Sequence, residues 1–240
     1  MKLIRLIILP DFLKLLFITS LLMLVSLPVL SQSDKETRLG TMMAIEVEKE
    51  LSRKFSGVLE EEVRLIDNRI GFDRSVTTLG FNYSFLNQKA KVGAYYAFIY
   101  LYNSDYLFES RHRFYLNLSY KEVFEPFTFS WRGRLQSTYR DEDIDSYNIN
   151  PKYILKNKLE VAYTIWGSPW KPYVSCDFST MLNDPMTTGY YLTRMRFLGG
   201  VTWRLNRTTY LDFFLRYDKE MDRRDPDVLS IGVNYKIRFL

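Results

Sequence analysis

Between Val228 and Leu240, the residues Leu229, Ile231, Val233, Tyr235, Ile237 and Phe239 alternate with Ser230, Gly232, Asn234, Lys236 and Arg238. A strand with this period of two has one apolar face and one that is small, polar or cationic, so it separates an apolar medium from a wet one. Earlier stretches repeat the pattern. Val92, Ala94, Tyr96, Phe98, Tyr100 and Tyr102 alternate with Lys91, Gly93, Tyr95 and Ala97, and Phe127, Phe129, Trp131 and Leu135 oppose Thr128, Ser130, Arg132, Arg134 and Gln136. Between Phe55 and Leu65 only Glu61 breaks the parity. Glu and Lys are abundant from residue 46 to 62 and favour helix, but the alternation there favours strands.

Eleven such runs follow one another from residue 41. Short turns at 52–54, 86–89, 122–126, 166–171 and 206–208 alternate with longer polar loops near 66–74, 103–110, 140–151, 182–189 and 218–227. Short turns at one end and long loops at the other characterise outer-membrane barrels. Runs of about 10 to 14 residues also exceed the 5 or 6 usual in soluble sheets. The predicted architecture is an all-β, antiparallel up-and-down transmembrane β-barrel over residues 41–240. Bacterial single-chain barrels carry even strand numbers, so the expected count is 10 to 12. Twelve is favoured, if the short N-terminal segment 32–40 holds an extra strand; ten follows if 41–51 lies outside the wall. A secreted, lipocalin-like soluble barrel with its apolar face turned inward satisfies the same alternation.

At the N-terminus, Lys2 and Arg5 precede a leucine-rich run from Leu15 to Leu30, and Val29 and Ser31 are small enough for a signal peptidase cutting before Gln32. Residues 1–31 therefore read as a secretory signal peptide. Their removal takes away Lys2, Arg5, Lys14 and Asp11, leaving 30 basic and 27 acidic residues. This near balance, without a basic cluster carrying interleaved aromatics, gives no reason to expect a nucleic-acid partner. Cys176 is the single cysteine, so no internal disulfide or cysteine-rich metal site is available. After residue 31 no apolar run approaches the roughly 20 residues of a spanning helix, and only a closed barrel would satisfy the backbone in lipid. The 18 Tyr and 17 Phe suit aromatic girdles.

Candidate chemistry is sparse. His112, the single histidine, shares parity with Phe114 and Leu116, which makes it a rim residue rather than the base of a lipid hydrolase. An outer-membrane lipid-modifying enzyme of phospholipase or deacylase type is the alternative function, without a catalytic residue to assign. Asp141, Asp143 and Asp145 are spaced like calcium ligands, yet Ser146 stands where such a loop needs glycine and Lys152 where it needs the distal carboxylate. Neither a metal nor a cofactor is expected. Tyr106, Phe108 and Tyr147 could contact a ligand through the loops.

The most telling constellation is the polar face. Glu46, Glu48, Glu50, Glu60 and Glu62 come early, and Arg111, Arg113, Arg132, Arg134, Lys156, Lys158, Arg194, Arg196, Arg204, Arg216, Lys236 and Arg238 come later. Barrel closure would set Glu46 to Glu50 beside Lys236 and Arg238. A charged network mostly filling a narrow lumen is expected, with a narrow anion-preferring passage as its functional form.

Two resemblances add to this. Ser230, Gly232, Tyr235, Ile237 and Phe239 resemble the C-terminal signal read by the barrel assembly machinery, although here Leu240 follows the aromatic. The hairpin succession, the segment EEEVRLIDNRIGFDRS and the strand KPYVSCDF resemble domain of unknown function 2490, an uncharacterised family of exported, Bacteroidetes-type proteins. That resemblance implies an outer-membrane barrel and brings no catalytic residue or ligand. The resulting expectation is a non-enzymatic protein of a Gram-negative outer membrane, with lipid and the assembly machinery as partners and the oligomeric state open.

Overall fold

The computed structural model describes residues 36–67, 71–103, 107–140, 150–183, 192–222 and 225–239. The proposed signal peptide, Tyr106, and the loop carrying Asp141, Asp143, Asp145 and Tyr147 lie outside them. Contacts divide the chain into Met1–Glu36 and Thr37–Leu240. The second unit is a closed barrel of eleven strands among the described residues: β1 Thr37–Glu50, β2 Phe55–Ile66, β3 Phe72–Phe85, β4 Ala90–Asn103, β5 Leu107–Phe124, β6 Phe127–Arg140, β7 Lys152–Tyr163, β8 Trp170–Met181, β9 Leu192–Arg204, β10 Thr209–Glu220 and β11 Asp227–Phe239. Ten neighbouring pairs are antiparallel, each hairpin following the last.

The expected even count is corrected by the seam. With eleven strands the first and last run the same way, so β1 and β11 pair in parallel, from Thr37 opposite Asp227 to Lys49 opposite Phe239. Residues 37–40, expected in a separate strand, are the start of β1. The long-loop end is also shorter than the sequence suggests. β4 and β5 pair up to Asn103 opposite Leu107, so the connection predicted at 103–110 is largely strand. Asp218 and Glu220, assigned to a loop, lie in β10.

Side-chain parity decides which medium each face meets. Leu39, Met43, Ile45, Leu59, Leu79, Phe81, Phe114, Leu116 and Leu159 are exposed on the outside of the wall. A soluble, lipocalin-like barrel would present charges there, so its inverted arrangement is not the one built. A strand of 12 residues, tilted as such barrels are, rises about 30 Å, enough for an apolar band of about 25 Å. No helix among the described residues is long and apolar enough to cross a membrane. Glu61, which broke the parity, does face outward, and its carboxylate accepts hydrogen bonds from Ser75 and Thr77, both at 2.5 Å.

Inside, aromatic rings occupy the space that glycines leave. Tyr95 of β4 lies opposite Gly80 of β3, and a Cβ at Gly80 would stand 2.0 Å from its ring. Gly93, two residues earlier on the same strand, would put a Cβ 2.3 Å from Asn82 and 2.6 Å from that ring. The ring is held there by stacking on Tyr115 at 4.8 Å and by its hydroxyl, which donates to Asn82 at 2.5 Å. Tyr173 meets Gly200, and Phe214 meets Gly232, in the same way. Such ring-on-glycine contacts pin register and fill a narrow lumen. Gly80→Ala is expected to lower stability by about 1 to 3 kcal/mol through overpacking. In a Tyr95→Ala background the same change should cost much less. Urea unfolding of the refolded barrel in lipid vesicles measures both, and equal costs in the two backgrounds would refute the joint.

Candidate functional site: the charged lumen

Alternation places one charged side chain after another inside the wall, where the strands hold them in layers. At the seam, Glu46 and Lys236 are register partners, and Lys236 Nζ lies 3.1 Å from the Glu46 carboxylate. One step nearer the short-turn end, Glu48 gathers Arg238 at 3.3 Å, Lys91 at 3.6 Å and the Ser56 hydroxyl, which donates to it at 2.9 Å. Lys158 pairs with Glu160 at 2.7 Å. Higher up, Arg134 donates to Asn117 at 2.8 Å and covers the Tyr115 ring at 3.9 Å. Arg132 reaches Asp177 only at 3.9 Å. Glu60 lies in the same inner cavity as Glu46, Arg134 and Lys236.

Toward the long-loop end the pairs tighten. Arg196 makes a bidentate contact with Asp218, at 2.6 and 3.0 Å, and Arg216 approaches the same carboxylate at 3.2 Å. Glu62 holds Arg64 at 2.5 Å, and Arg194 is paired with Glu220. Arg111 is bidentate to Glu109, at 2.5 and 2.9 Å, and Arg140 approaches Glu109 at 3.9 Å. Arg113 donates from Nε to the Thr138 hydroxyl at 3.2 Å. Lys156 faces the outer cavity, and no acid meets it among the described residues.

Two predicted members fall outside the network. Glu50 and Arg204 are exposed at the short-turn rim, where each strand leaves the wall. On the same rim, the Glu122 carboxylate 2.6 Å from Lys89 holds that turn's ammonium above its ordinary range. His112 sits on the outer wall, stacked on Tyr96 and tilted against Phe98, with its Nδ1 2.6 Å from the Tyr96 hydroxyl. Phe108 stacks on Tyr100 at 5.0 Å. In the C-terminal strand, Ser230 and Gly232 are buried toward the lumen, while Phe239 is exposed on the outer face. Among the described residues no group of three metal-ligating side chains converges.

The barrel is similar to solved outer-membrane structures. The NanC porin is 14% identical, with a TM-score of 0.51 over 75% of this chain and 85% of that one. A bacterial polysaccharide outer membrane secretin gives 16% and 0.47, over 78% and 63%. The beta domain of the Bordetella autotransporter BrkA gives 12% and 0.39, over 77% and 81%. At such identities the likeness is one of fold. No curated protein matches in sequence. The family profile described as protein of unknown function DUF2490 matches residues 39–228. The chain belongs to the DUF2490 family. That family's span runs from β1 to the start of β11, so it takes in β2 to β10 and most of the charged lumen, but not Lys236 and Arg238.

Several acids of this DUF2490 lumen were not among the predicted network: Glu109, Asp177, Asp212, Asp218 and Glu220. The signal for the last two was present, because the inward parity of Asp212, Phe214 and Arg216 continues unbroken to both. Acids are therefore not confined to the early strands, and most of the paired cations meet an acid on their own strand or on a neighbouring one. Asp218 is buried between two arginines. Asp218→Asn leaves both cations without their acid and is expected to cost about 3 kcal/mol or more. Glu50→Gln, on the exposed rim, should change stability by no more than about 0.5 kcal/mol. Urea midpoints of the two variants in vesicles check the contrast.

Proposed function

We propose that this protein is a non-enzymatic barrel of a Gram-negative outer membrane, whose charged lumen is mostly filled by its own side chains and gives small anions a narrow passage. One observation carries the reading. The free space within the wall includes an outer cavity of about 240 Å³ and an inner one of about 250 Å³, which share no lining residue, and among the described residues both are lined by more cations than acids. Among the described residues the outer one has seven cations and three acids, the inner one four and three. Rings of Arg or Lys favour anions in pores, and a wall of this size encloses less space than the wide aqueous channels of 16- to 18-stranded porins.

The exposed apolar band supports lipid as the surrounding medium. Export through a signal peptide over residues 1–31, and insertion by the assembly machinery through Ser230, Gly232, Tyr235, Ile237 and Phe239, belong to the same proposal. No cofactor is needed for it. Planar-bilayer recording of the refolded full chain is the test. Small unitary currents with anion preference are expected, and neutralising Arg132 and Arg134 to Gln should abolish that preference. A wide, porin-like conductance or a preference for cations would overturn the reading.

A further inference from the structure

The outer cavity opens between the strand ends on the long-loop side, and most of its cations are already answered. Arg74 is bidentate to Asp73, at 2.8 and 3.1 Å. Arg111 is bidentate to Glu109, and Arg194 is paired with Glu220. Two are left over, on β5 and β7, the strands either side of β6. Arg113 spends its Nε on the Thr138 hydroxyl, and Lys156 meets no acid among the described residues. Between them on β6 is Gln136, 2% exposed, whose amide nitrogen donates to Thr138 at 3.2 Å while its oxygen has no partner. An amide can present either end to a ligand, since oxygen and nitrogen are assigned from the surrounding network.

Holding cations inside a wall without counter-charges costs several kcal/mol per ion. A cavity that pairs most of its other cations and leaves these two together has kept a place for an anion. We infer that Arg113, Lys156 and Gln136 form a binding site for a small solute bearing a phosphate or carboxylate group. The free Nη groups of Arg113 suit a planar, two-oxygen acceptor, Lys156 supplies a point charge, and the Gln136 amide completes the set. Size narrows the class. A cavity of about 240 Å³ holds on the order of eight waters at about 30 Å³ each. Inorganic phosphate or a carboxylate of a few carbons fits, and a drug-sized ligand, needing at least about 300 Å³, does not. Among the described residues no aromatic ring lines the cavity.

This inference rests on the anion-passage reading only for the route by which the solute arrives. Calorimetric titration of the refolded full chain in detergent, at constant ionic strength, tests it with inorganic phosphate in one arm and succinate in the other. Saturable one-to-one binding is expected in at least one arm, and the arm that binds names the group. Arg113→Gln and Lys156→Gln should each weaken it at least tenfold, and Lys156→Arg should keep it within about threefold. Both Gln variants should unfold at a urea concentration no lower than the wild type in anion-free buffer, because each removes an unanswered charge. Absence of saturable binding in both arms, or wild-type affinity in both Gln variants, would overturn the site. Binding without bilayer current would remove the passage and leave the site standing; current without binding would do the reverse.

Discussion

Closure of the backbone is the constraint on which everything else in this molecule depends. A wall exposed to hydrocarbon can leave no unpaired strand edge, because each unsatisfied N–H or C=O there costs several kcal/mol. With eleven strands that requirement forces a parallel seam, and β1 and β11 meet it through thirteen register pairs. The register has a chemical consequence. A shift of one residue would turn Glu46 and Glu48 outward; in the register observed they stand directly opposite Lys236 and Arg238.

Closure also sets the energetics of the interior. A barrel of this circumference has little room for water, so its side chains must solvate one another. Two devices accomplish this. Aromatic rings lie over glycines, as Tyr95 does on Gly80 and Phe214 on Gly232, and carboxylates sit between cations, as Asp218 does between Arg196 and Arg216. Where both devices stop, small cavities remain, and these are the positions at which the lumen can hold something other than itself.

Much of this was legible along the chain. A strict period of two over eleven runs identifies the strands and separates their apolar from their polar residues, while the folded wall shows that the apolar face is the outer one. The pairing of Glu46 and Glu48 with Lys236 and Arg238 was also within reach, because closure brings the first strand to the last. Less legible were the strand ends. Asp218 and Glu220 are acidic and precede Pro226, so they read as loop although their parity is that of β10. Glu50 and Arg204 show the converse, having lumen parity but ending their strands at the exposed rim.

The sequence by itself determined the β-barrel class and which residues of a strand share a face, because alternation is a local property of the chain. Only the tertiary structure decided the odd strand count, the parallel seam and which charges meet. Those depend on barrel tilt, on register summed around a closed wall and on the volume left between rings. Arg113 and Lys156 look no different from Arg111 and Arg194 along the chain. They differ in the folded barrel, where Glu109 and Glu220 have come within reach of the second pair and no described acid has come within reach of the first.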